Sequence, residues 1–166
     1  MKKNSKLILK GNTFILQDDD YETPKYILEM LLPYIEKYKI IYDPFYCNGR
    51  VKEHWSDLGK ICINDKLDAF NREEPDNYDI IISNIPFTLK KQCFDLCFKL
   101  GKPFILILTT DSIGTVWIKK YFEKLQFIVP AKRLCYEKNN IQTKSCWFDT
   151  MFFCYNINLD KDIIKL

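Results

Sequence analysis

The sequence predicts a single α/β domain: a mostly parallel sheet with helices on both faces and an antiparallel hairpin near its C-terminal end. Three observations carry this. Short apolar runs alternate with helix-patterned stretches along most of the chain. The run at 103–109 is apolar at nearly every position, the pattern of a strand covered on both faces. The last two apolar runs have only a polar loop between them, which fits a hairpin rather than a helical crossover. A chain of 166 residues favours one domain over two.

In order along the chain, residues 1–10 are rich in lysine and are expected as a loose basic arm. Asp18-Asp19-Asp20 reads as a solvated turn. Thr23-Pro24 opens a helix, with Thr23 as its cap and Pro24 at the first helical position. Tyr26, Ile27, Met30, Leu31, Tyr34 and Ile35 follow at helical spacing, and Pro33 kinks or shortens the helix. A strand is expected at 39–42, a loop at 43–49, a short helix at 50–58 with Gly59 as its stop, and a second strand at 60–64. Residues 65–77 are too short and polar for a full strand–helix unit. A central strand follows at 77–83, then an amphipathic helix at 88–100 ended by Gly101. The buried strand at 103–109, a helix at 114–125 and strands at 127–131 and 147–156 complete the pattern.

Composition narrows the function classes. A 47% hydrophobic and 15% aromatic chain is not disordered. Lys and Arg total 25 against 22 Asp and Glu, so any nucleic-acid surface is local. The seven cysteines are odd in number, several lie in apolar runs, and no apolar leader follows Met1. Reduced thiols in an intracellular compartment are expected. Cys93 and Cys97 lie one helical turn apart but lack a second ligand pair, and His54 is the single histidine, so packed thiols rather than a metal site are expected. No run approaches the roughly 20 apolar residues of a membrane span.

Two strand-to-loop junctions carry the chemistry. Tyr78-Asp79-Ile80-Ile81-Ile82-Ser83 runs into Asn84-Ile85-Pro86-Phe87. The Asn84 side-chain oxygen and the Ile85 carbonyl can accept hydrogen bonds from an amine, Pro86 stiffens the turn, and Phe87 offers a ring for a flat base. Upstream, Ile40-Ile41-Tyr42 runs into Asp43-Pro44-Phe45-Tyr46-Cys47-Asn48-Gly49. Asn48 and Gly49 can take positive φ and bring backbone close to a ligand, and the helix that follows presents free N–H groups. Asp65 follows the second strand, where a carboxylate can accept ribose hydroxyls. In an open parallel sheet all three lie at the carboxyl edge, where ligands bind.

Taken together, these residues resemble the S-adenosylmethionine-dependent adenine-N6 methyltransferases of the Rossmann-like class. Asn84-Ile85-Pro86-Phe87 is similar to the family's (Asn/Asp/Ser)-Pro-Pro-(Tyr/Phe/Trp) motif, Asp43 to Gly49 to its donor loop, and Tyr21-Glu22-Thr23-Pro24 to its Thr-Pro element. Two departures stand out: Ile85 replaces the first proline, and Cys47-Asn48-Gly49 replaces a two-glycine turn.

The resemblance implies a donor site formed by Thr23, Pro24, Asp43, Phe45, Asn48, Gly49, Asp65 and Asp68, with S-adenosylmethionine as cofactor. It implies a catalytic set of Asn84, Ile85, Pro86 and Phe87, with the target adenine flipped or single-stranded. Lys90, Lys91, Lys132, Arg133, Lys138 and Lys144 are the expected contacts to DNA or RNA. With no separate recognition domain, a partner subunit, a homodimer or recognition of RNA by shape is expected. Abundant Lys, Ile, Asn, Tyr and Phe, with the compact form, fit a large DNA virus, a phage or a protist. Two alternatives stay open: methylation of a protein glutamine amide, and a non-catalytic nucleic-acid-binding subunit of a methyltransferase pair.

Overall fold

The computed structural model describes residues 7–10, 13–16, 21–138, 141–143 and 148–166. Two short strands, β1 (Leu7–Lys10) and β2 (Thr13–Leu16), pair as an antiparallel hairpin, so the expected loose arm is a strand in its second half. Gly11-Asn12 between two β-type runs is a hairpin signal the sequence reading passed over.

The helix α1 (Lys25–Glu29) starts one residue later than expected. Pro24 occupies the N-cap position in extended geometry, and no side chain caps the helix. No backbone N–H is needed there, so proline fits as well before the first turn as in it. The helix stops at five residues and passes into a 3-10 turn, Leu32–Tyr34, that contains Pro33. Lys60 closes the end of this segment, donating to the carbonyls of Ile35 (3.1 Å) and Tyr38 (2.6 Å).

The main sheet takes β3 (Ile40–Tyr42), β4 (Ile61–Ile63), β5 (Ile80–Asn84), β6 (Phe104–Thr109), β7 (Leu125–Val129), β10 (Thr150–Tyr155) and β11 (Ile163–Lys165) in the spatial order β11-β7-β10-β6-β5-β3-β4. A further hairpin, β8 (Glu137–Lys138) with β9 (Ile141–Gln142), stands apart from it. Every neighbour in the main sheet is parallel except β10, which runs antiparallel to both β6 and β7. The expected terminal hairpin is thus the β7–β10 pair.

Helices cover both faces, and the period-2 alternation of the strands sorts side chains between them. Ile41, Ile80, Ile82, Ile105, Ile107 and Phe152 face Ile27, Leu31 and Ile35 of the α1 region and Trp55 of α2 (Arg50–Asp57). Tyr42, Ile81, Phe104, Leu106, Leu108 and Phe153 face Cys93, Phe94 and Cys97 of α3 (Lys90–Leu100) and Ile118 of α4 (Val116–Lys119). All six residues of β6 are buried, as its pattern requires. Cys93 and Cys97 are packed thiols in that second core.

The helix expected at 114–125 is only α4, flanked by 3-10 turns at Thr110–Gly114 and Phe122–Lys124. Thr115, Val116, Ile118, Tyr121 and Phe122 are weak helix formers, and tertiary packing leaves them one short turn. Residues 65–77, expected to be too short for a full strand–helix unit, carry no strand or helix at all. No described helix is long and apolar enough to cross a membrane.

Candidate active site at the carboxyl edge

Parallel pairing of β3 with β5 aligns Ile41 with Ile80 and Tyr42 with Ile81, so the residues just beyond each strand emerge at one edge. Asp43 and Ser83 meet there. The Ser83 hydroxyl donates to Asp43 Oδ1 at 2.5 Å, and the Phe45 N–H donates to the same oxygen at 3.2 Å. Asp43 is 5% exposed. Burial pushes its carboxyl up to about 7, against the opposing pull of these hydrogen bonds. The Asn64 side chain, itself buried, donates to the Asp43 carbonyl at 3.0 Å and holds β4 to the same edge.

Asn84 ends β5 beside this carboxyl. Its Oδ1 is buried and has no hydrogen-bond partner among the described residues. A buried amide oxygen left without a partner costs about 1–3 kcal/mol, so a donor that enters the cleft gains by meeting it. A cleft of about 360 Å³, solvent at its mouth included, is lined by Thr23, Asp43, Phe45, Asn48, Gly49 and Asn84, together with Tyr21, Glu22, Cys47, Arg50 and Val51. Six residues expected in the site therefore surround one cavity.

The loop that forms its floor is shaped by three local devices. Gly49 holds φ at +85°, and a Cβ there would lie 2.8 Å from the Tyr46 hydroxyl. Tyr46 in turn donates to the Asn48 carbonyl at 3.1 Å. The Asn48 Oδ1 accepts the Arg50 N–H at 3.1 Å and so closes the start of α2. Asn48 does not take positive φ, contrary to expectation: among the described non-glycine residues only Asn156 and Asn158 do. Its contribution is the side-chain acceptor, with Gly49 alone supplying the left-handed turn.

The remaining expected residues divide. Pro24 is buried and lies outside the cleft lining. Ile85 is buried, and Pro86 sits at φ −61° and ψ 121°, which keeps the turn extended before the 3-10 segment Phe87–Leu89. Phe87 meets the Phe148 ring edge-on at 5.0 Å, and Phe148 meets Tyr21 edge-on at 5.3 Å, so the ring expected to stack a base belongs to an aromatic cluster. Of these three rings Tyr21 lines the cleft, whereas Ile85, Pro86 and Phe87 lie outside its lining.

Asp65 lies outside the cleft lining, facing Lys52 at 3.6 Å and Arg72 at 3.7 Å. Asp68 is also outside it: its oxygens accept the Phe70 N–H and the Asn71 side chain, the work of a turn residue. Among the expected cations, Lys90 reaches Thr109 (2.8 Å) and Asp111 (3.2 Å), Lys91 pairs with Asp95, and Arg133 grips Asp149 through two bonds. Lys132 is exposed, and Lys138 lies 5.5 Å from the centre of the Tyr21 ring. Lys144 is outside the described residues.

Arg50, Glu22 and Tyr21 are cleft residues the sequence reading did not single out. Arg50 Nη1 is shared by Glu22 (2.5 Å) and by Glu137 of β8 (2.9 Å). The two glutamates also exchange backbone hydrogen bonds, at 2.8 and 3.0 Å. Position offered the only signal: Glu22 sits inside the Thr-Pro element, and Arg50 directly follows the Gly49 turn.

No protein-family model matches the sequence. No curated protein matches it. Among solved structures, the fold is similar to that of a candidate class I S-adenosylmethionine-dependent methyltransferase from Listeria monocytogenes, at a TM-score of 0.51 and 15% sequence identity. The match covers 90% of this chain and 66% of that one, so the chain spans about two thirds of its neighbour's length. The likeness is one of fold, and the fold is the Rossmann-like α/β arrangement with helices on both faces and antiparallel strands toward the C-terminus.

Proposed function

We propose that this chain is an S-adenosylmethionine-dependent methyltransferase that acts on the N6 amino group of adenine in DNA or RNA. The observation that carries the reading is the buried, unpartnered Asn84 Oδ1 in a cleft shared with Asp43 and the Gly49 turn. The fold neighbour supports the donor class.

The residues present fit that donor. Thr23, Asp43, Phe45, Asn48 and Gly49 would hold it, with Asp43 free to ionise against a cationic ligand because its carboxyl titrates near neutral pH. Arg50, Glu22 and Glu137 together carry one net negative charge, which also suits a cation at the cleft. The donor supplies a methyl group on an electron-poor sulfur.

An exocyclic adenine nitrogen is a poor nucleophile because its lone pair is shared with the ring. Asn84 Oδ1 accepts one of its hydrogens and the Ile85 carbonyl the other, which favours a more tetrahedral nitrogen. Pro86 keeps these two acceptors in place. Catalysis rests on positioning and on preset dipoles. Tyr21 lines the cleft with Phe148 and Phe87 packed behind it, and its ring offers the flipped base an apolar contact.

One observation favours the glutamine-amide alternative: Lys90, Lys91 and Arg133 are each paired with an aspartate, which thins the cationic surface beside the cleft. Labelled methyl transfer to adenine-containing oligonucleotides, run beside protein extracts, separates the two. Asn84→Ala is expected to lower transfer at least about a hundredfold while donor affinity stays within about threefold. Turnover at the native rate in that variant removes Asn84 from the mechanism.

A further inference from the structure

Three segments far apart in sequence converge on one guanidinium. Arg50 opens α2 directly after the Gly49 turn, Glu22 precedes α1, and Glu137 begins the β8–β9 hairpin. Glu22 and Arg50 line the cleft, whereas Glu137 does not. Glu22 and Glu137 are joined by paired backbone hydrogen bonds, the Glu22 N–H donating to the Glu137 carbonyl and the reverse. A second tie lies nearby. The Tyr26 hydroxyl donates to the Cys135 carbonyl at 2.8 Å and accepts the Cys135 N–H at 2.7 Å. The hairpin is closed by Thr143, whose N–H and hydroxyl both donate to the Tyr136 carbonyl at 2.8 Å.

Two carboxylates face each other at this point, with side chains 12% and 23% exposed. Without a cation between them they repel, and among the described residues the strand-like contact between the hairpin and the cleft wall is the two-bond bridge they share. The Nη1 nitrogen alone meets both carboxylates, through its two N–H bonds. The same side chain is anchored at its base, since the Arg50 N–H is held by Asn48 in the loop beneath the cleft. Whatever orders the 43–49 loop therefore orders Arg50. Arg50 in turn decides whether Glu22 and Glu137 are neutralised or opposed.

We infer that Arg50 is a positioning residue that couples the donor loop to the β8–β9 hairpin, so that a ligand seated on the loop also orders the hairpin that carries Lys138. This rests on the functional reading above. It adds a route by which donor binding prepares the surface over which the methyl acceptor must pass. Coupling of this kind links two sites through one two-state contact, with effects commonly on the order of 5–150-fold.

The test uses the full chain and S-adenosylhomocysteine as probe, read by hydrogen exchange of the Glu137 and Thr143 amides, neither of which lines the cleft. In the native chain the probe is expected to slow exchange of both by about threefold or more. In Arg50→Met, that protection is expected to fall below about 1.5-fold, with part of it restored in Arg50→Lys, which keeps the positive charge on a shorter side chain. A merely structural role would speed exchange in Arg50→Met with and without the probe and leave the ratio unchanged. That result overturns the inference, as does equal protection in native chain and Arg50→Met when both bind the probe. Binding to the native chain without hairpin protection also overturns it and leaves the functional reading standing. If the native chain binds no probe, the functional reading falls and this inference falls with it.

Discussion

Burial places the Asp43 carboxyl where ionisation is costly, and among the described residues the Ser83 hydroxyl and the Phe45 N–H are the donors that offset it. Its folded pKa of about 7 lies above the ordinary carboxylate value. Between about pH 4 and pH 7, the folded chain therefore holds a proton that the unfolded chain has lost, and stability falls as pH rises through that window. The loss is on the order of 4 kcal/mol and is complete above about pH 7. Asp43→Asn keeps an oxygen for both donors and cannot ionise. Its denaturant midpoint is expected to stay flat across the window, and to exceed that of the native chain at pH 8. Parallel pH profiles for the two proteins would show that burial is not what perturbs Asp43. Asn84 shows the same tension from the other side. Its unpartnered Oδ1 is a standing cost, so the Asn84→Ala variant that loses transfer is expected to unfold at or above the native temperature. A melting temperature clearly below the native one would mean that the Asn84 oxygen is satisfied in the folded chain.

At the scale of elements, the loop after β3 depends on one backbone angle. A side chain at position 49 must adopt φ near +85° and push the Tyr46 hydroxyl aside. Left-handed geometry costs about 1–2 kcal/mol for a residue with a Cβ, so Gly49→Ala is expected to lose at least that much stability by chemical denaturation. Tyr46→Ala added to it relieves the collision but not the angle, and is expected to recover only part of the loss. Full recovery would place the whole cost in the contact with Tyr46. This loop was legible in the sequence because its signals are local: an Asp after an apolar run, then Asn-Gly, then a helix pattern. The succession along the chain of β3 to β7 and then β10 was legible for the same reason, whereas the β8–β9 hairpin lies in a stretch expected as a polar loop. Apart from the Gly11-Asn12 turn of the β1–β2 hairpin, what escaped had little local signal. The Arg50 contacts span 28 residues to Glu22 and 87 to Glu137, and the pairing of Lys90 with Asp111 spans a strand. β11 is three residues long beside a run of charged and polar positions, too brief for an alternating pattern to register. Asp65 is expected in the site from its place after β4 and Asp68 from the family resemblance, yet their partners are Lys52, Arg72 and the turn around Asn71.

For the whole molecule, the question is what kind of acceptor its surface admits. The chain carries a net charge of only +3, and its cations beside the cleft are largely committed. Lys90 is held by Asp111, Lys91 by Asp95 and Arg133 by Asp149. Lys132 and Lys138 have no ion pair among the described residues, and Lys138 is already placed against the Tyr21 ring at the cleft wall. A polyanion gripped through two lysines releases few counterions, so binding should depend weakly on salt. For a single-stranded adenine-containing oligonucleotide, the slope of log affinity against log salt is expected near −1.4, which is about 0.7 for each engaged cation. Lys132→Gln and Lys138→Gln are each expected to reduce its magnitude by about 0.7, and the double variant to leave almost none. Aromatic contact at Tyr21, with Phe148 and Phe87 packed behind it, is what must then hold the base, since stacking does not respond to salt. A slope steeper than about −4 that survives both substitutions would show phosphates held by a surface other than this one. No measurable binding at low salt, with transfer to a protein amide instead, would show that the unpartnered acceptor at Asn84 awaits a glutamine side chain.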